Sequence, residues 1–76
     1  MTPGQCRGAR GLLGWSQADL AEKAKVGLST LGNFEGSKSA MMAANLEAVQ
    51  RTLESAGVEF IPENGGGPGV RLKRGK

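Results

Sequence analysis

Seventy-six residues with three aromatic side chains and no histidine place narrow limits on what this chain can be. A sequence of this length forms one small domain without room for a large substrate cavity. Because there is no histidine and Cys6 is the only cysteine, Ser-His and Cys-His catalytic pairs, zinc clusters and an internal disulfide are excluded. We therefore expect no enzyme and predict no cofactor, metal or small-molecule ligand.

The net charge of +3 comes entirely from the end of the sequence. Residues 1–70 contain six basic and seven acidic side chains, whereas residues 71–76 contain four basic and no acidic ones. Charge alone is therefore weak evidence for nucleic-acid binding. No apolar run reaches the roughly 18 residues of a membrane span, and the N-terminus lacks the apolar core of a signal peptide. We expect a cytoplasmic protein without membrane contact.

The first predicted helix begins next to Thr2, which can cap it. Pro3 suits the first helical position, and Gln5 can complete a capping box with Thr2. An apolar stripe at helical spacing follows, formed by Cys6, Ala9, Leu12 and Leu13. The helix is predicted to end at Gly14.

Two short helices joined by a tight turn are predicted next, over residues 17–24 and 28–35. Ser16 and Asp19 form a second capping box at the start of this pair. Ala21 is small enough for the helices to cross closely, and three apolar side chains are spaced to pack them together: Val26, Leu31 and Phe34. The predicted turn between the two helices is formed by Lys25, Val26 and Gly27.

A fourth helix follows a polar loop, with Ser39 as its predicted cap and Gly57 as its end. Its predicted apolar face consists of Met42, Leu46, Val49, Leu53 and Ala56. Residues 58–61 and 70–73 are β-prone and flank a glycine-rich turn, which predicts a short hairpin or an extended tail. We therefore predict an all-α fold, with a helical domain over residues 1–57 and a β-prone, glycine-rich basic tail over residues 58–76.

The segment from about Gly14 to Lys38 resembles the helix-turn-helix of the phage-repressor and Cro-like (XRE-type) family of transcriptional regulators. The residues that carry this resemblance are Ser16, Gln17, Ala21, Val26, Leu31, Phe34 and Glu35. It implies a lambda-repressor-like domain of four to five helices. It also implies sequence-specific binding to double-stranded DNA, with residues 28–35 in the major groove.

The resemblance places base-reading residues at the early exposed positions of this helix: Leu28, Ser29, Gly32 and Asn33. Ser29 and Asn33 can hydrogen-bond to bases, whereas Leu28 can only contact a thymine methyl or another apolar group. Contacts to DNA phosphates are expected from Gln17, Lys25, Thr30 and Lys38. Because the base-reading residues include neither arginine nor glutamine, the commonest bidentate contact to guanine is missing.

Lys25 stands where the resembled family usually has a turn glycine, which implies a left-handed conformation at Lys25 unless Gly27 absorbs the turn. Glycines at positions 32 and 36 weaken the short second helix of the pair by about 0.5 to 1 kcal/mol each. A homodimer would compensate by reaching two half-sites about 34 Å apart. The tail is the predicted dimer element, through strand pairing or through Phe60 and Ile61, while four of its residues could instead follow the DNA backbone: Arg71, Lys73, Arg74 and Lys76. The alternative is a protein-interaction module, antitoxin-like or adaptor, that uses Leu28 and the Met41–Met42 pair.

Overall fold

The computed structural model describes residues 1–63 and 65–73, which form four helices followed by two strands. The helices are α1 (Pro3–Leu13), α2 (Gln17–Ala24), α3 (Leu28–Glu35) and α4 (Ala43–Ser55), and the strands are β1 (Val58–Ile61) and β2 (Gly69–Leu72). Arg74 and Lys76, which we predicted to contact DNA, lie outside the described residues. None of the described helices is both long enough and apolar enough to cross a membrane.

Both predicted capping boxes are confirmed, and they determine where α1 and α2 begin. The Thr2 hydroxyl accepts from the Gln5 backbone N–H at 3.0 Å, and the Gln5 side-chain oxygen accepts from the Thr2 N–H at 2.8 Å. Ser16 and Asp19 exchange the same two hydrogen bonds at 3.0 Å each. Each box satisfies two backbone donors that a helix start leaves unpaired.

Lys25, and not Gly27, takes the left-handed conformation that turns the chain between α2 and α3. This is one of the two predicted alternatives. Lys25 has φ 60° and ψ 43°, in the left-handed region, whereas Gly27 has φ −66°. A non-glycine residue in this region costs roughly 1 kcal/mol or more, which the packing of the two helices must offset. Gly27 instead precedes α3 as its N-cap residue.

The start of α4 differs from the prediction, because Met42 and not Ser39 is its N-cap residue. The backbone N–H groups of Lys38 and Ser39 both donate to the Asn33 carbonyl, so the loop is still closing the end of α3 at this point. The apolar face of α4 is also shorter than predicted. Val49 and Leu53 are fully buried, but Met42 is 75% exposed.

The core lies where the four helices and the first strand meet. Its buried apolar members are Cys6, Ala9, Leu20, Ala21, Ala24, Leu31, Phe34, Met41, Val49, Leu53 and Val58. Ala21 and Ala24 are small, which lets α2 approach its neighbours closely. Val58 is fully buried, so the first residue of the tail belongs to the same core as the helices.

The predicted all-α fold is wrong, because the chain ends in an antiparallel pair of strands and is therefore a mixed α/β fold. Val58 lies opposite Leu72, and Ile61 lies opposite Gly69. A two-stranded hairpin is marginal alone in water, but here β2 packs on α1 and β1 packs on α4. The packing is close, since a Cβ atom added at Gly8 would lie 3.1 Å from a methyl group of Val70.

A side chain of α1 also ties the hairpin to the helices. The amide nitrogen of Gln5 donates to the carbonyls of Ile61 at 3.3 Å and Gly69 at 3.0 Å, one from each strand. The same side chain caps α1 through its oxygen, so all of its polar atoms are used. Because these partners are more than fifty residues away in the sequence, local patterns gave no sign of this role for Gln5.

Candidate nucleic-acid interface

The α3 helix has one face in the core and one face in solvent. Leu31, Phe34 and Glu35 are buried, and with them α3 is anchored to the rest of the domain. The predicted base-reading residues Ser29 and Asn33 are exposed on the opposite side, Leu28 is exposed at the edge of the buried face, and Gly32 is half-buried. These four residues therefore share one continuous surface of α3, since helical neighbours lie three and four positions apart.

The N-terminal turn of α3 is open. Among the described residues no side chain caps it, and its first turn contains no acidic residue. The first backbone N–H groups of a helix have no partner within the helix and carry a partial positive charge. An anion such as a phosphate would therefore be favoured at this end.

Gln17 connects the two helices of the motif. Its amide nitrogen donates to Glu35 Oε1 at 3.0 Å, and its side-chain oxygen lies 3.5 Å from the position that a Cβ atom of Gly32 would take. One amide hydrogen is thus engaged inside the protein, and the second remains for an outside acceptor. The structure therefore gives Gln17 a positioning role that the sequence did not indicate.

The carboxylate of Glu35 is the centre of a buried polar cluster beneath α3. Arg10 binds it in a bidentate manner, with Nε to Oε2 and Nη2 to Oε1 both at 2.8 Å. The thiol of Cys6 donates to Oε2 at 3.0 Å. Arg10 also donates to the Trp15 carbonyl at 3.0 Å, which links the cluster to the segment before α2.

The charge state of this cluster follows from its contacts. Burial opposes ionisation of Glu35, which is only 1% exposed, but hydrogen bonds from Arg10, Gln17 and Cys6 outweigh it and hold its pKa below the ordinary value. Burial and the bond to the carboxylate raise the pKa of the Cys6 thiol, so it remains protonated and donates. Arg10 and Glu35 neutralise each other, and the surface of α3 above them gains no negative charge.

The sequence analysis missed this cluster, although one signal for it was present. Cys6 and Arg10 are four residues apart and thus lie on the same side of α1, which places a charged side chain on the buried stripe. Glu35 entered the analysis only as a residue of the motif. Arg7, also on α1, donates to the backbone carbonyl of Glu35 and so satisfies the end of α3.

Two of the predicted phosphate-binding residues carry positive charges and flank α3. Lys25 is exposed just before the helix, and Lys38 is exposed just after it. The aliphatic part of the Lys38 side chain passes over Gly36: a Cβ atom added at Gly36 would lie 3.8 Å from the Lys38 Cγ atom. Thr30 is exposed on α3 itself. The structure therefore brings Lys25, Thr30 and Lys38 to the same helix as the base-reading residues.

The predicted contacts in the tail lie elsewhere. The strands pack on α1 and α4, and Phe60 is half-buried against the core of its own chain. Arg71 forms an exposed ion pair with Glu59 at 2.8 Å, and the hydrogen bond from Arg71 lowers the pKa of Glu59. Lys73 is exposed. Among the described residues of the tail, Arg71 and Lys73 are balanced by Glu59 and Glu63, so this part of the tail adds no net positive charge.

Comparison with known proteins gives no further assignment, since neither a protein-family model nor a curated protein matches the chain. Over the described ranges, no three His, Cys, Asp or Glu side chains are grouped so that they could hold a metal ion. The resemblance to helix-turn-helix regulators therefore stays a prediction. It rests on the motif residues and on the packing of α2 against α3.

Proposed function

We propose that the protein is a small transcriptional regulator that binds double-stranded DNA sequence-specifically with α3 in the major groove. The observation that carries this proposal is the exposed surface of α3: Ser29 and Asn33 lie opposite the buried face, and Leu28 is exposed at the N-terminal end of the helix. An α-helix with its side chains is about 10 to 12 Å across, which fits a major groove of about 12 Å width, and the eight residues of α3 give it a length of about 12 Å.

Phosphate contacts in this arrangement come from the residues around α3. Lys25 and Lys38 supply two ammonium groups, and Thr30, Gln17 and the first N–H groups of α3 supply neutral donors. Two neutralised phosphates per protomer correspond to a slope of about −2 in a plot of log K against log salt concentration. The affinity would therefore fall clearly between about 50 and about 200 mM salt.

A salt titration of DNA binding, followed by fluorescence anisotropy, tests this proposal. Lys38→Gln should make the slope shallower by about one unit per protomer, because each protomer loses one phosphate contact. Arg51→Gln is the matched control, since Arg51 is an exposed cation on α4 that pairs with Glu47 at 2.8 Å. DNA binding that does not depend on salt, or equal effects of the two substitutions, would contradict the proposed contacts.

We further propose that the protein acts as a homodimer through its tail. Support comes from Leu72, which is 43% exposed on β2, and from the two strands, whose pair has a free edge on each side. Removing residues 58–76 would also remove the buried Val58, so a surface substitution is the better test. Leu72→Glu should convert a dimer to a monomer in sedimentation equilibrium, whereas Met42→Glu, at an exposed residue outside the tail, should not.

A second function from another class has some support. Leu28 is 51% exposed and Met42 is 75% exposed, which would suit a protein-interaction module of antitoxin-like or adaptor type. Met41, however, is buried in the core, so the methionine pair does not form one surface. Binding to a protein through apolar contacts would change little over a salt range that strongly weakens DNA binding.

A further inference from the structure

We infer that α3 reads A·T base pairs, with Leu28 against the methyl group of a thymine and Asn33 on the edge of an adenine. This inference rests on the proposed function, because it requires α3 to lie in the major groove. To the proposed DNA binding it adds which class of base pair α3 recognises.

The exposed face of α3 contains neither of the side-chain types that usually recognise a G·C pair. Guanine is most often read by arginine or lysine, and the amino group of cytosine by aspartate or glutamate. Residues 28–34 contain no charged side chain. The one acid of α3, Glu35, is buried, and its two oxygens accept hydrogen bonds from Arg10, Gln17 and Cys6.

The same face contains one side chain suited to adenine and one suited to thymine. Asparagine can bind the N6 and N7 atoms of adenine with its amide, and Asn33 is exposed. Thymine is the base that presents a methyl group in the major groove. Leu28 is 51% exposed although it is the first residue of a helix whose Leu31 and Phe34 fill the core, so its side chain is free to cover that methyl group.

Gly32 makes room for the base edges between these two side chains. On the helix surface Gly32 lies next to Leu28, which is four positions earlier, and next to Ser29, which is three positions earlier. Having no side chain, it leaves the backbone of α3 open to a close approach, while the Gln17 oxygen lies 3.5 Å from where a Cβ atom would stand. Ser29 and Thr30 can bond to any base pair, so they do not change the preference.

The experiment removes a single methyl group from the DNA. A bound fragment is first selected from random DNA with the wild-type protein, and each thymine of the selected site is then replaced by deoxyuridine. Burial of one methyl group corresponds to about a fourfold change in affinity. With the wild-type protein, we expect the affinity to fall by this factor when one particular thymine of each half-site is replaced. With Leu28→Ala, DNA with thymine and DNA with uracil at that position should bind equally well.

Leu12→Ala is the matched control, because Leu12 is 43% exposed on α1 and should leave the thymine preference unchanged. Replacing adenine by 7-deazaadenine removes the N7 acceptor and should weaken the wild-type protein but not Asn33→Ala. A selected site of G·C pairs only, or a uracil effect that persists in Leu28→Ala, would overturn the inference and leave DNA binding intact. Failure to enrich any DNA would instead overturn the proposed function itself.

Discussion

Replacement of Glu35 by glutamine tests the buried cluster that supports α3. Glutamine keeps the shape of the side chain but leaves the Arg10 guanidinium without its counter-charge beneath the helix. Removing one partner of a buried ion pair costs about 3 to 5 kcal/mol. A domain of 76 residues has a total stability of roughly 4 to 11 kcal/mol, so the variant should lose a large part of it.

Glu47→Gln is the matched control for this loss. Glu47 also pairs with an arginine at 2.8 Å on a helix, but both side chains of that pair are exposed to solvent. Such surface pairs contribute about 0 to 1 kcal/mol. Unfolding in urea can be followed by the fluorescence of Trp15, the only tryptophan, whose carbonyl accepts a hydrogen bond from Arg10. Equal losses of stability in the two variants would refute the role assigned to the buried pair.

The pH dependence gives an independent check on the same residue. The pKa of Glu35 is lower in the folded than in the unfolded protein, so its ionisation stabilises the fold above the ordinary pKa of about 4.3. This contribution is lost as the pH falls from there through the pKa of the folded state. The stability difference between wild type and Glu35→Gln should therefore shrink in acid. A difference that stays constant from neutral pH to strong acid would contradict this assignment.

Three further predictions concern other parts of the domain. Gly32→Ala should raise the stability to urea by about 0.5 to 1 kcal/mol, because the added Cβ makes only ordinary contact with Gln17, but it should weaken DNA binding by closing the approach to bases. Gln5→Ala should destabilise the fold by about 1 to 3 kcal/mol and speed hydrogen exchange in both strands, since two strand carbonyls lose their donor. The Cys6 thiol should react with a disulfide reagent only on unfolding; rapid reaction of the native protein would contradict its burial and raised pKa.

Local signals in the sequence predicted the helix-turn-helix unit accurately. The bounds of α2 and α3 agree with the prediction, because Ser16 and Asp19 mark the start of α2 and Gly36 follows the end of α3. The same reasoning was wrong for α4. Ser39 is a good capping residue, but its N–H donates to Asn33 in the loop that closes α3. Tertiary contacts thus overrode a local preference.

Long-range contacts explain what the sequence could not show. The short hairpin, one of the two forms predicted for the tail, is confirmed, but the all-α fold class was wrong. The contacts that hold the hairpin on the helices, from Gln5 and from the close approach of Val70 to Gly8, join residues far apart in the sequence. The cluster around Glu35 likewise joins α1, α2 and α3 over 18 to 29 residues. Patterns of hydrophobicity indicate which residues are buried but do not show which buried polar side chains meet.

The most direct test of the central claim is selection of bound fragments from random DNA, repeated with Asn33→Ala and Ser29→Ala. Both residues are exposed on α3, and Asn45→Ala on α4 serves as the control. If α3 reads the DNA, the wild-type protein and Asn45→Ala enrich the same sequence, and the two α3 variants enrich an altered or less defined one. Enrichment of the same sequence by all four proteins, or of none by the wild type, would contradict the claim that α3 reads DNA.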